Sequence, residues 1–300
     1  MITPSDPRTS PISFGITLVL VAFSLAREKL TPLGVLTAFS TACLHVSFPS
    51  KVPFACLVTF FVAGIVATRV GKAAKSGIIV SSVGGSGAEG PRNTVQVLAN
   101  SGTASLFILG AFAVRFTGRD VLSLITGGDG AVATDAALVR RVVFASACSY
   151  AAAAADTLSS EFGILATSSP FLVTPPFRKV PRGTNGGVTI EGLGAGLLGG
   201  AIIGAVYHLQ YRDASRAGAI AILGLGGSLL DSILGAVAQA TVEDKSSGRV
   251  VEGANGKRAL FTAGGSRVRR GRDLLNNNGV NFVMSLTIGV AGLVVDRLLN

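Results

Sequence analysis

The chain is short of charge, cysteine and histidine, and each shortage excludes a class of function. Charged residues make up 14 % of 300, well below the roughly 25 % of a soluble domain. They are also unevenly placed. The stretches 12–26, 32–48, 53–68, 93–114, 142–155, 192–211 and 279–295 hold no Asp, Glu, Lys or Arg, and 217–240 holds only Asp231. The three cysteines, Cys43, Cys56 and Cys148, all fall within these stretches, so no disulfide framework is implied. The two histidines, His45 and His208, lack metal-ligand spacing, and no Ser-His-Asp order is evident. No glycine loop leads into a Walker-type Lys-Ser/Thr. Gly194, Gly196 and Gly199 fit the dinucleotide spacing, but they lie in an apolar stretch that follows no strand.

Apolar runs this long, and apolar all round, suit helices solvated by lipid rather than strands of a buried sheet. The expected fold is all-α: a polytopic integral membrane helix bundle of about eight spans, within a range of six to nine, forming one membrane domain over 1–300. Arg27-Glu28-Lys29 follows the first run without a small-residue cleavage site, so that run reads as a retained span. Gly192, Gly196, Gly200 and Gly204 recur every four residues and give one helix a continuous small face. Such a face suits internal packing, with a homodimer interface as the other use. The net charge of +10 raises the question of nucleic acid, and its distribution answers it. The loops after spans one, three, five and seven hold 17 of the 26 Lys and Arg, eight of them between Lys245 and Arg272. That asymmetry marks a cytoplasmic side, with the N-terminus facing away from it. The bilayer is then the expected partner, not nucleic acid, and residues 243–275 read as a basic, flexible cytoplasmic loop. With no transit signal evident, the endoplasmic reticulum or another endomembrane is the default compartment.

Ionisable groups at membrane depth are costly, so each is a functional candidate. Asp156 ends an alanine run and opens the sequence Asp-Thr-Leu-Ser-Ser-Glu, with Glu161 about 140° further round a regular helix. Asp231 sits mid-span among Gly224, Gly227, Ser228 and Gly235, on a face that points into the bundle. The loop containing Arg178, Lys179, Arg182, Gly183, Thr184, Asn185, Gly186 and Gly187 precedes the glycine-lined span. Its cations and prospective backbone donors suit an anion. Two amide clusters complete the set: Asn93, Gln96 and Asn100 on one helix face, and Asn276, Asn277, Asn278 and Asn281 opening the last span, where helix caps are the plainer use. By the alternating topology the loop leading to Asn93, the Asp156 end of its span, the 178–187 loop and the 276–281 entry fall on the cytoplasmic side.

Five motifs carry a resemblance: 84–100 (GGSGAEGPRNTVQVLAN), 156–163 (DTLSSEFG), 178–188 (RKVPRGTNGGV), 224–236 (GLGGSLLDSILGA) and 276–282 (NNNGVNF). In this order they resemble the transmembrane protein 19 family, to which the plant phytyl-phosphate kinases belong. The resemblance implies a multi-pass membrane protein. In the plant branch it implies phosphoryl transfer from a nucleoside triphosphate (CTP or ATP) to an isoprenoid monophosphate, giving the diphosphate. On that reading Asp156 and Asp231, with Glu161, would hold Mg²⁺. Lys179, Arg178 and Arg182 would neutralise phosphates, and Gly183, Asn185, Gly186 and Gly187 would supply donors. Asn93, Asn277 and Asn281 would orient the acceptor phosphate or the ribose. The rival class is a transporter or lipid-handling protein without kinase activity, its carboxylates carrying protons or cations. A purely structural bundle is the third.

Overall fold

The structure, a computed structural model, describes residues 9–76, 78, 80–81, 90–117, 135–174, 178–253, 259, 261–262 and 264–299. Within them lie eight apolar helices: α1 (Thr9–Ala26), α2 (Pro32–Val46), α3 (Val52–Arg69), α5 (Thr94–Thr117), α6 (Asp135–Gly163), α7 (Ile190–Tyr211), α8 (Ala214–Ala238) and α9 (Asn277–Leu298), with a short α4 (Lys72–Ser76) after α3. Six of them, α3 and α5 to α9, are long and apolar enough to cross a bilayer. The eight spans expected from sequence thus become six long helices and a shorter pair. The cause is local. Thr31 caps α2 through Gly34 N, Pro32 fills its first turn, and the chain leaves the helix at Ser47. Its uncharged flanks therefore do not lengthen it, and 15 residues cover about 22 Å of a roughly 30 Å hydrocarbon core.

Successive long helices alternate in direction. At one end, here the basic end, Arg92 N donates to Lys29 O (3.0 Å) and Thr31 N to Arg92 O (2.9 Å), which joins the α1–α2 turn to the start of α5. At the same end Leu274 N and Leu275 N both donate to Ala238 O, joining the end of α8 to the approach to α9. At the opposite end the Ser50 and Tyr211 hydroxyls meet at 3.0 Å. α1 and α2 restore each other's direction, so the polarity of the six long helices is the same whether or not that pair spans.

Two small sheets cover the basic end. One has the order β1-β6-β5-β7, built from β1 (Val80–Ser81), β5 (Thr241–Asp244), β6 (Val250–Glu252) and β7 (Arg267–Arg270). The other, β3-β2-β4, is built from β2 (Phe171–Leu172), β3 (Arg178–Lys179) and β4 (Gly187–Val188). The 243–275 segment, expected as a flexible loop, is therefore partly strand in its described residues. Val242, Val250 and Val251 are buried, so it has an apolar underside to fold onto. Ser246 and Ser247 donate to Asp244 at the β5–β6 turn, and these bonds hold its carboxyl down at about 2. That turn keeps its charge above the ordinary Asp value of about 3.9 and loses it only as pH falls through 2.

The core is built on α6, which is buried along 142–155. Its alanine run, Ala151 to Ala155, faces glycines on two neighbours. A Cβ on Gly199 of α7 would stand 2.6 Å from Ala154 O, and one on Gly227 of α8 would stand 2.5 Å from Ala152 Cβ. Neither position has room for one. The periodic face of α7 is shared: Gly192 and Gly196 lie against α6 at Ser159 and Ala155, while Gly200 and Gly204 lie against α8 at Ala221 and Ala217. The small face is thus used inside the chain, where close backbone approach supplies the dispersion that lipid cannot. Gly199→Val and Gly227→Val are each expected to lower stability by about 1–3 kcal/mol, read as a drop in thermal unfolding midpoint in detergent. Gly194→Ala, where an added Cβ meets nothing within 4 Å, is expected to leave that midpoint unchanged.

Candidate functional site

The close packing of α6 and α8 places the two carboxylates. These helices run in the same direction and touch where Gly224 meets Ala151 and Gly227 meets Ala152. One turn further toward the basic end, about 5.4 Å on, Asp156 and Asp231 come within electrostatic range of each other. Both are half-buried. α9 supplies the third group. Oriented by its hydrogen-bonding neighbours, the Asn281 amide nitrogen donates to Asp231 Oδ2 at 3.3 Å and to Asn277 O at 3.1 Å. Asn277 itself is exposed at the mouth of this helix. Among the described residues no Lys or Arg pairs with Asp156 or Asp231.

Other predicted residues have local occupations. Asn93 caps α5 in a reciprocal box: Gln96 N donates to Asn93 Oδ1 (3.1 Å) and Asn93 N to Gln96 Oε1 (3.0 Å). Glu161 does not join the carboxylates. It pairs with Lys75 of α4, whose Nζ also donates to Ala67 O. Glu161 therefore stands apart from Asp156 and Asp231, because a regular helix carries it round to a different neighbour. No cluster of three His, Cys, Asp or Glu able to hold a metal occurs among the described residues.

In the basic loop, Arg178 and Lys179 are exposed on β3, and Arg182 donates to Thr167 O at 3.2 Å. Asn185 and Gly187 are occupied rather than presented. Asn185 N donates to Thr241 Oγ1 and its amide to Ala240 O, while Gly187 N donates to Thr184 O. Gly183 and Gly186 turn the loop with positive φ, and a Cβ on Gly186 would stand 2.6 Å from Ala236 N. The glycines seat this loop on α8 about one turn beyond Asp231. Residues 84–89 of the first glycine-rich motif lie outside the described residues.

The sequence from 15 to 289 matches the family described as "Integral membrane protein DUF92". The chain belongs to this family. It is 34 % identical over 286 residues to "Protein PGR" of Arabidopsis thaliana, covering 89 % of each chain. It is also 29 % identical over 240 residues to an "Uncharacterized membrane protein MJ0933" of Methanocaldococcus jannaschii, covering 80 % of this chain and 74 % of that one. No solved structure matches. The resemblance read from the five motifs and the match to this integral membrane family agree, and the matched region runs through every helix from α1 to α9.

This family member also carries an ionic cluster that sequence reading did not single out, at the end opposite the carboxylates. Asp296 of α9 is fully buried and accepts from Arg216 Nε at 2.9 Å, with Arg140 of α6 at 3.8 Å. Arg216 also binds Asp213, the cap of α8, at 2.8 Å. Those bonds hold the Asp213 carboxyl below the ordinary range, so its contribution to stability is lost as pH falls through that lowered value. Spacing gave no signal for this cluster, because Arg216, Asp213 and Arg140 lie 80, 83 and 156 positions from Asp296. A second buried pair joins α2 to α6. His45 Nδ1 faces Thr41 O at 2.7 Å and must carry the proton, so Tyr150 OH donates to Nε2 at 2.8 Å. Asp296→Ala removes one of the two carboxylates that hold Arg216 and is expected to cost about 1.5–3 kcal/mol, seen as a lowered unfolding midpoint. Arg140→Ala, at longer range and more exposed, is expected to cost much less.

Proposed function

We propose that this protein is a membrane-embedded prenyl-phosphate kinase that transfers a phosphoryl group from a nucleoside triphosphate to an isoprenoid monophosphate. The observation that carries the reading is the facing pair Asp156 and Asp231. Two carboxylates at membrane depth, with an amide but no paired cation among the described residues, call for a cation or a proton from outside the chain. The family resemblance supplies the matching chemistry.

Two partly open carboxylates fit Mg²⁺, which prefers few protein oxygens and fills its remaining positions with water and phosphate. Asp156 and Asp231 would hold it, and when bound it neutralises phosphate charge. Arg178 and Lys179, exposed on β3, with Arg182 beside them, would receive the triphosphate from the aqueous side. Asn281 fixes the Asp231 carboxylate, and Asn277 stands at the entrance. In the transfer, an oxygen of the acceptor phosphate bonds to the γ-phosphorus while the bond from that phosphorus to the β–γ bridging oxygen breaks. The nucleoside diphosphate leaves and no net proton movement is required. The demand on the protein is position and charge neutralisation, which a rigid pair of helices provides.

The test is transfer by purified full-length protein in detergent, with Mg²⁺, γ-labelled CTP or ATP, and phytyl, farnesyl or geranylgeranyl monophosphate. Labelled prenyl diphosphate is expected, with a loss on the order of a thousandfold in Asp156→Asn and in Asp231→Asn. Chelation by EDTA is expected to abolish it, and Mg²⁺ to restore it. Absence of product with every pair, from folded protein, would overturn the kinase reading in favour of transport or lipid handling. Glu161→Gln, which breaks only the Lys75 pair, is expected to retain most activity.

A further inference from the structure

We infer that Arg92 is the anchor for the acceptor's phosphate, a phosphate monoester on a membrane-borne chain; this rests on the kinase reading. Arg92 is fixed before its side chain does anything. Its N–H and carbonyl are both bonded to the α1–α2 turn, at 3.0 and 2.9 Å, in a parallel bridge with Leu30. Gly34 of α2 stands so close that a Cβ there would meet Arg92 O at 2.6 Å. From this seat the half-buried side chain crosses to α3 and α6. Its Nη1 lies 3.8 Å from the Cβ position of Gly64, and Thr157 Cγ2 lies 4.0 Å from the same point. Thr157 follows Asp156, about 100° further round α6. The guanidinium is thus delivered to the turn that carries the first carboxylate.

Its location distinguishes it from the loop cations. Gly64 is buried, but Val62 and Val66, which flank it on α3, are 45 % and 56 % exposed on the helix's outer side. Those faces meet lipid if α3 spans. Arg92 therefore stands just inside the bundle wall at its basic end, whereas Arg178 and Lys179 stand on an exposed strand. An acceptor whose tail lies in the bilayer brings its phosphate to the wall. A soluble nucleotide brings its phosphates to the exposed loop. A planar guanidinium also matches the oxygens of a phosphate in a bidentate way that Lys cannot. The guanidinium lies in van der Waals range of position 64, so a side chain larger than a methyl there would meet it.

The test uses full-length protein in detergent, with farnesyl monophosphate and uncharged farnesol as probes. In turnover, Arg92→Gln is expected to raise KM for farnesyl monophosphate about tenfold or more, with the nucleotide KM within about twofold of the original. Arg92→Lys is expected to restore only part of the difference. Gly64→Leu, which leaves all charges in place but fills the guanidinium's space, is expected to reproduce the acceptor defect. A rise confined to the nucleotide KM, or no change in either, overturns the assignment. Equilibrium binding separates this from failure of the kinase reading. If the wild type binds farnesyl monophosphate over farnesol yet transfers nothing, the kinase reading fails. Loss of that preference in Arg92→Gln, with an unchanged unfolding midpoint, still upholds the anchor. Preference retained in Arg92→Gln, or absent from the wild type, overturns it.

Discussion

Everything at the basic end depends on how closely three helix backbones approach around α6. Lipid offers no hydrophobic drive for helices to associate, so the approach must come from small residues and the dispersion they permit. α6 contributes Ala151 to Ala155, α7 contributes Gly192, Gly196 and Gly199, and α8 contributes Gly224 and Gly227. A single added methyl at Gly199 or Gly227 would meet backbone or Cβ atoms at 2.5–2.6 Å, so these interfaces have one separation. Because α6 and α8 run in parallel, the register set by Gly227 and Ala152 is carried one turn on to Asp231 and Asp156. The carboxylates are positioned by the glycines before they contact anything else.

The second constraint is what the other acidic groups do. Glu161 is held by Lys75, Asp213 and Asp296 by Arg216, Glu243 by Arg270, and Asp273 by Arg269. Glu191 accepts from Ser168 and Thr167, and Asp244 from its serines. These acids have partners supplied by the chain itself. Asp156 and Asp231 have each other and an amide, at a depth where charge is costly. Two like charges in proximity raise each other's cost, which sets this pair apart from the other acids. The buried cluster at the opposite end makes the contrast plain: Asp296 is more deeply buried than either, and it is the one given two arginines.

Much of this was legible in the sequence. Charge scarcity and long apolar runs showed a helix bundle, and the uneven basic residues showed which loops share an end. The recurrence of Gly192, Gly196, Gly200 and Gly204 showed a small face. Asp231 among glycines was readable as pointing inward, because small neighbours mark a packed side. What failed to show depended on tertiary partners. Glu161 looked like a third ligand, and only the position of α4 explains its pairing with Lys75. Asn185 looked like a donor, but its amide closes on Ala240 across an apolar junction that no spacing reveals. The sheet over 241–270 was hidden because its strands are three or four residues long, within a glycine- and serine-rich segment. The count of apolar helices fell within the expected six to nine, and what spacing did not show is that α2 starts at the Thr31 cap and stays short.

On the proposed kinase reading, the depth of the carboxylates links the fold to the chemistry. Asp156 lies seven residues before the end of α6 and Asp231 seven before the end of α8, about 10 Å inside the helix ends. That places them below the loops that carry Arg178 and Lys179, and near the level at which Arg92 reaches α6. A water-soluble phosphate donor and a chain anchored in lipid can meet only near such a boundary. There a charged head can be met from the aqueous side while its tail stays among apolar surfaces. Deeper carboxylates would bear a larger desolvation cost, and shallower ones would lose the rigid helix pair that fixes their separation. Placing them two turns inside, on helices locked by glycine and alanine, satisfies both demands with the same residues that hold the bundle together.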